Sequence, residues 1–230
     1  GGVGSTTLAV NGSALLAASG TVDGDVALCD AVLQLGNAAA FLGLAPDRDL
    51  ADLVDGLDDL GALSTYLSHH RETGLRVLAS PRDPRDAERI APDDMSRVLV
   101  SLRRRFELVV VDCPPVLDLL TLAVLDLSET IFVVTEGITP TILATSVFLE
   151  LLEEQGFGRP RVRVVLNRHS AIEGVLPRRM VEEELGRPVD HLLPDDKAAL
   201  AAVARGTPVV MSRPKAPLSA AIGELAEGML

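Results

Sequence analysis

Aliphatic residues occur along this chain in short blocks, most of them closed by an acid, an amide or a proline. Val26-Ala27-Leu28-Cys29 ends in Asp30, Leu75-Arg76-Val77-Leu78-Ala79 in Ser80-Pro81, Leu108-Val109-Val110-Val111 in Asp112, and Val162-Arg163-Val164-Val165-Leu166 in Asn167. Ile131-Phe132-Val133-Val134-Thr135 and the shorter His191-Leu192-Leu193 read the same way. Apolar runs of this length suit strands buried on both faces of a parallel sheet. Between them the pattern predicts helices over residues 8–18, 34–44, 50–60, 92–105, 142–155, 177–185, 197–204 and 216–230. In the helix over 142–155, Leu143, Val147 and Leu151 recur at i, i+4 and i+8, which predicts the stripe that covers the sheet. Strand and helix alternate, so the expected fold is α/β, one doubly wound and mostly parallel sheet in a single domain over residues 1–230. In such sheets the ligand crevice lies at the C-terminal strand edges, where Asp30, Asp112 and Asn167 would converge.

The stretch before the first helix, Gly1-Gly2-Val3-Gly4-Ser5-Thr6-Thr7, has the composition of a phosphate cradle. Glycines leave backbone N–H groups open at a helix start, and the hydroxyl of Thr6 takes the position that holds Mg²⁺ in a GxxxxGK[ST] loop. Ser5 stands where that loop has lysine. Four aliphatic residues followed by Asp112 form a Walker B pattern, whose carboxylate serves the same metal. Asn167 reads either as an adenine contact or as a turn residue. A phosphate loop normally follows a buried strand, so the expected domain is truncated at its N-terminal side, before Gly1.

With these residues in place, the chain resembles the MinD/ParA group of P-loop ATPases, most closely the CpaE/TadZ branch associated with tight-adherence pilus assembly. Gly1 to Thr7 is similar to the deviant KGGxGKTT loop, and Leu28-Cys29-Asp30-Ala31-Val32-Leu33-Gln34 to the switch I segment VDxDxQ. Val109-Val110-Val111-Asp112-Cys113-Pro114-Pro115 is similar to VVDxPP, and Val165-Leu166-Asn167-Arg168 to VLNR. Leu193-Pro194-Asp195-Asp196, with Gly206-Thr207-Pro208-Val209-Val210, is similar to the base-side IPxD and GxPVV segments. The resemblance implies ATP as ligand, with Gly1, Gly2, Val3, Gly4, Ser5, Thr6 and Thr7 around the phosphates. It puts Thr6, Asp30 and Asp112 near Mg²⁺, gives Asp30 and Asp112 the catalytic roles, and sets Asn167, Arg168, Pro194 and Asp195 by the adenine. It departs at Ser5, at Val32 in place of a second switch acid, and at Gly12 inside the first helix, where glycine costs about 1 kcal/mol.

Charge narrows the partners. Acidic residues number 33 against 21 basic ones, giving a formal net charge of −12, so the overall field repels nucleic acid and anionic lipid. Arg103-Arg104-Arg105 is expected to complement a helix dipole rather than bind DNA. The tail from residue 218 carries Glu224 and Glu227 and no Lys or Arg, unlike a basic membrane-binding helix. Cys29 and Cys113 are expected to be reduced thiols. The resemblance implies a homodimer closing over nucleotide and a cytoplasmic protein brought to a membrane or cell pole by partners of a pilus or division apparatus. Three readings follow: an ATP-binding positioning factor for pilus assembly with weak or absent hydrolysis, a septum-site-determining ATPase, and a nucleotide-independent scaffold. An iron-protein reductase or amidotransferase of the same superfamily lacks paired cluster cysteines or a further catalytic constellation.

Overall fold

The computed structural model describes residues 2–57 and 60–230, apart from the side chains of residues 60 and 61. In chain order the elements are α1 (Ser5–Ser19), β1 (Val26–Asp30), α2 (Ala38–Phe41), α3 (Leu50–Asp55), β2 (Ser68–His69), β3 (Arg76–Leu78), α4 (Pro92–Arg105), β4 (Leu108–Asp112), α5 (Leu119–Leu127), β5 (Ile131–Glu136), α6 (Thr139–Glu154), β6 (Val162–His169), α7 (Arg178–Leu185), β7 (His191–Pro194), α8 (Lys197–Val203), α9 (Val209–Ser212) and α10 (Pro217–Glu227). Two 3₁₀ turns, Leu60–Thr65 and Pro84–Arg89, connect them.

The strands form two sheets, ordered β2-β3-β1-β4 and β5-β6-β7. All neighbours are parallel except β2 with β3. Side chains alternate between faces, as pleating requires. Leu28, Val110, Val134, Val165 and Leu193 join one apolar core with α1, α9 and α10 that runs under both sheets. On the opposite face the core is divided. Ala27, Cys29 and Val111 pack with α3 and α4, while Val133, Val164 and Leu166 pack with α6 and α7.

Between β4 and β5 lies a cleft of about 490 Å³. Its walls are β4 and β5 themselves, and Ser5, Leu8 and Ala9 of α1 reach it. Leu108 to Val111 are therefore only half-buried, although β1, with the same kind of sequence, is buried throughout.

Local signals explain most helix ends. Pro92 opens α4, Asp93 and Asp94 occupy its first turn and Arg103, Arg104 and Arg105 its last, each charge matching the dipole. Gly20 and Gly186 close α1 and α7 in the left-handed conformation. Two expectations are corrected. The helix expected over 34–44 shrinks to α2, because Ala38 N–H donates to the Asp30 carboxylate (2.9 Å) and fixes 31–37 as a loop. In α6 the stripe expected to cover the sheet is the exposed one, and Ile142, Thr145, Leu149 and Leu152 face inward. Three short elements, β2, α5 and α9, were not expected.

Candidate functional site

The loop before α1 is shaped by two glycines in the left-handed region, Gly2 (φ +91°) and Gly4 (φ +96°). Gly4 caps α1 without a side-chain hydrogen bond, and no acid occupies the first turn, so α1 itself supplies no anionic partner to its leading N–H groups. That is the donor set an anion needs. A Cβ on Gly4 would lie 2.3 Å from Nδ2 of Asn167. Asn167 is almost fully buried, and its Nδ2 donates to the Val3 carbonyl at 2.8 Å. The end of β6 thus stands directly against the loop.

On the other side, Thr6 Oγ1 donates to Asp112 Oδ2 at 2.6 Å, linking α1 to the end of β4. Asp112 is pushed up to about 6, chiefly by burial and further by Asp30, with the Thr6 hydroxyl partly offsetting the rise. Asp30 is the register partner of Asp112 on β1. Its carboxylate accepts Val32 N–H (3.1 Å), Ala38 N–H (2.9 Å) and the Ser80 hydroxyl, yet burial still holds it above the usual carboxylate range. A Cβ on Gly36 would come within 2.6 Å of Asp30 Oδ1 and 2.5 Å of the Val32 carbonyl, so the loop folds tightly over this acid. Burial raises the thiols of Cys29 and Cys113, the latter to about 12, which keeps both protonated.

Arg168, with a left-handed backbone (φ +51°), pairs with Glu136 at the same sheet edge. Pro194 ends β7 there, and Asp195 N–H donates to the His169 carbonyl at 3.1 Å. The structure therefore joins Val3 and Gly4 of the loop to Asn167 on one side, and Thr6 to Asp112 on the other. It keeps Asp30 one strand away with its oxygens engaged, and it arranges Arg168, Pro194 and Asp195 along the outer part of the edge. Gly1 lies outside the described residues.

Sequence reasoning missed Asn11. Its amide donates to the Thr7 carbonyl (2.7 Å) and its Oδ1 accepts Val210 N–H (3.3 Å), tying α1 to the first turn of α9. An amide within the apolar run Leu8-Ala9-Val10-Asn11 was the available signal. Gly36, Ser80 and Glu136 carried none.

The residues suit Mg²⁺ and a polyphosphate. Among the described residues no group of three or more His, Cys, Asp or Glu side chains could hold a metal alone. Mg²⁺ is ordinarily held by one or two protein oxygens together with phosphate and water, and Thr6 and Asp112 supply such a pair.

A profile of the AAA domain family matches residues 1–153. The chain belongs to the MinD/ParA-type P-loop ATPase family. An uncharacterised ATP-binding protein of Methanocaldococcus jannaschii is 26% identical over 232 residues, covering 100% of this chain and 84% of that one. The structure of a ParA family ATPase from Chlorobium tepidum superposes with a TM-score of 0.88 at 26% identity, over 99% of this chain and 95% of that chain. The Pyrococcus furiosus cell-division ATPase MinD does so with a TM-score of 0.84 at 25% identity, over 99% and 93%. The α/β fold expected from the resemblance is the one observed. Among the described residues, no helix is long and apolar enough to cross a membrane.

Proposed function

We propose that this member of the MinD/ParA-type family binds ATP with Mg²⁺ and turns it over slowly, acting as a positioning factor for a pilus assembly apparatus. The observation that carries the reading is the loop itself: an open N–H cradle, with Thr6 on Asp112 and serine at position 5. Backbone N–H groups of the loop would hold the phosphates, and Thr6 and Asp112 the metal, which neutralises phosphate charge when bound. Asn167, Arg168, Pro194 and Asp195 would frame the base. Ser5 brings a hydroxyl but no positive charge to the loop. Losing one preorganised donor at such a site typically costs about 2.7–4 kcal/mol in the transition state, a hundred- to a thousandfold in rate. Ground-state binding requires less charge compensation and should persist.

The test is Mg²⁺-dependent ATP affinity and single-turnover hydrolysis, for this protein and for S5K. Measurable affinity, slow turnover and acceleration in S5K are expected. Turnover as fast as in ordinary members of the family would overturn the reading. No affinity at all would favour the scaffold reading. The septum-site-determining alternative draws on the MinD relatives and differs in its partners, which a pull-down separates.

Two further parts belong to this reading. Leu35 and Val116, on the loops that follow β1 and β4, and Leu119, the first residue of α5, are exposed, which supports a homodimer closing over nucleotide. Light scattering with and without ATP and Mg²⁺ tests it, and a monomer under both conditions counts against it. We also infer that the cleft between β4 and β5 receives a parallel strand leading into Gly1. Its walls are two strands that have no partner on their facing edges among the described residues, one of them a four-residue aliphatic run suited to a buried strand. Backbone amide exchange in β4 and β5 should slow when a valine-rich strand segment is joined ahead of Gly1. Unchanged exchange would exclude this.

A further inference from the structure

Helices α2 and α8 are followed by the same turn, and the two turns touch. After α2, Gly43 N–H donates to the Ala40 carbonyl (3.1 Å) and Leu44 N–H to that of Ala39 (3.0 Å). After α8, Gly206 N–H donates to the Val203 carbonyl (3.0 Å) and Thr207 N–H to that of Ala202 (3.2 Å). Both glycines are left-handed, as such turns require. They also abut. A Cβ on Gly206 would lie 2.7 Å from Gly43 Cα and 2.9 Å from its nitrogen, and a Cβ on Gly43 would lie 3.0 Å from the Gly206 carbonyl oxygen. Gly186 closes α7 at almost the same φ with nothing within 4 Å, so the turn does not itself demand the contact.

Each helix leads to one half of the crevice. At the start of α2, Ala38 N–H donates to the Asp30 carboxylate (2.9 Å), where loop 31–37 closes over the acid. At the start of α8, the Asp196 carboxylate accepts Ala198 N–H (2.8 Å), directly after Pro194 and Asp195. Ala38, Leu42, Ala202 and Val210 share one buried core, and close packing makes a displacement of either helix felt by the other. The loop between Asp30 and α2 is under strain. Leu35 takes a left-handed backbone (φ +67°) although it is 78% exposed, so little packing offsets that conformation. A strained segment of this kind persists because its surroundings fix it. Here the fixed points are Asp30 at one end and Gly43, against Gly206, at the other.

We propose that the contact between Gly43 and Gly206 couples the base side of the crevice to Asp30: an adenine nucleoside against Pro194 and Asp195 steadies α8, and through it α2, and holds loop 31–37 closed on the acid. Gly43 and Gly206 are then positioning residues, which set where Asp30 stands beside Asp112 without touching the ligand themselves. The coupling rests on the reading that Pro194 and Asp195 frame the base, and it holds whether or not ATP is hydrolysed. Its two states are physical ones. In the closed state Ala38 N–H is on Asp30 and Leu35 is left-handed; in the open state Leu35 relaxes and that hydrogen bond is lost. A ligand shifts such an equilibrium by binding one state better.

Amide hydrogen exchange, followed by NMR on the intact chain, reads the coupling at Val32 and Ala38, the two N–H groups on Asp30. Without ligand, G206A should speed exchange at both by about tenfold more than at the amides of β6, because the new methyl group overpacks the contact. G186A carries the same left-handed penalty with no neighbour and should leave Val32 and Ala38 as in the parent. G43A, whose methyl group meets the Gly206 carbonyl oxygen at 3.0 Å, should act like G206A but more weakly, and takes its place if G206A does not fold. Adenosine, which lacks the phosphates that Thr6 and Asp112 would serve, should slow exchange at both amides in the parent and not in G43A. Adenosine that shifts the Asp195 and Ala198 resonances without slowing Ala38 would overturn the proposal, and so would exchange at Ala38 that is the same in G206A as in G186A. Absence of any shift at Asp195 would instead overturn the base-side reading, and G206A against G186A would still decide whether the contact positions Asp30.

Discussion

Asp30 and Asp112 sit side by side at the ends of β1 and β4, paired in register and equally buried, yet the molecule treats them differently. Asp30 is consumed by its own chain: two backbone N–H groups and the Ser80 hydroxyl donate to it, and loop 31–37 closes over it with Gly36 against its oxygen. Asp112 has the Thr6 hydroxyl, and its carboxyl is pushed up to about 6. Burial of an acid is costly unless donors replace water. At Asp30 the backbone supplies them, which makes the acid an organiser of the loop. At Asp112 the charge stays poorly compensated, so an added cation gains most there. The difference is one of compensation, supplied at Asp30 by the folded backbone and left open at Asp112, although both acids end aliphatic strands.

The largest expected effect is on the loop side. In G36A the new methyl group would lie 2.4 Å from Ser80 Oγ, 2.5 Å from the Val32 carbonyl and 2.6 Å from Asp30 Oδ1. Backbone has to move, and a loss of about 3 kcal/mol in urea unfolding is expected, at the upper end for overpacking. A variant as stable as the parent would mean that the loop is not clamped on Asp30. Next comes D30A, which removes the acceptor of Ala38 N–H and Val32 N–H. Leaving buried donors unpaired costs about 1–3 kcal/mol each, partly offset by removal of a buried charge, so a net loss of about 2 kcal/mol is expected.

At Asp112 the sign reverses. Its folded-state value, about 6, lies above the ordinary 3.8, so the folded chain takes up a proton as pH falls from 7 towards 4. The native state therefore binds more protons than the unfolded state in that window, and this group makes stability rise as pH falls. D112N should stabilise the protein without ligand by about 2 kcal/mol at pH 7, with the advantage gone by pH 4. It should also abolish Mg²⁺-dependent nucleotide affinity. Urea midpoints at pH 7, 5 and 4 check the first part, and destabilisation by D112N at pH 7 would erase the contrast with Asp30.

The parallel strands and their convergence on one edge were legible because both depend on chain-local signals: aliphatic runs, the acid or amide that ends them, and glycines before a helix. What the sequence hid was decided between distant residues. Helix α6 is apolar on nearly every side, so periodicity could not choose its buried face. The stripe the domain buries contains Thr145, polar in sequence but satisfied by Thr135 across the core. The part played by Asp30 was hidden for a different reason: its donors Val32 and Ala38 are close in sequence but acquire their position only when the loop folds. Helix α5 follows Pro114-Pro115, whose breaking signal masked the N-cap that Asp118 makes with Thr121 N–H (2.8 Å).

The smallest effect is the coupling between Thr6 and Asp112, and it separates a hydrogen bond to a charge from one to a neutral acid. T6V keeps the β-branched shape but removes the donor that lowers the Asp112 carboxyl. That carboxyl should therefore climb further, and proton uptake by the folded chain should begin at higher pH than in the parent. Stability at pH 7 should fall by about 1 kcal/mol, the usual net worth of a hydrogen bond. At pH 4, where Asp112 is protonated in both proteins, most of that loss should disappear. In the D112N background the hydroxyl faces a neutral amide, and T6V should cost less at pH 7 than it does in the parent. A double-mutant cycle measures the difference directly. Strict additivity at pH 7 would mean that Thr6 holds its place through α1 rather than through the acid. Asp112 would then be as uncompensated as burial alone makes it.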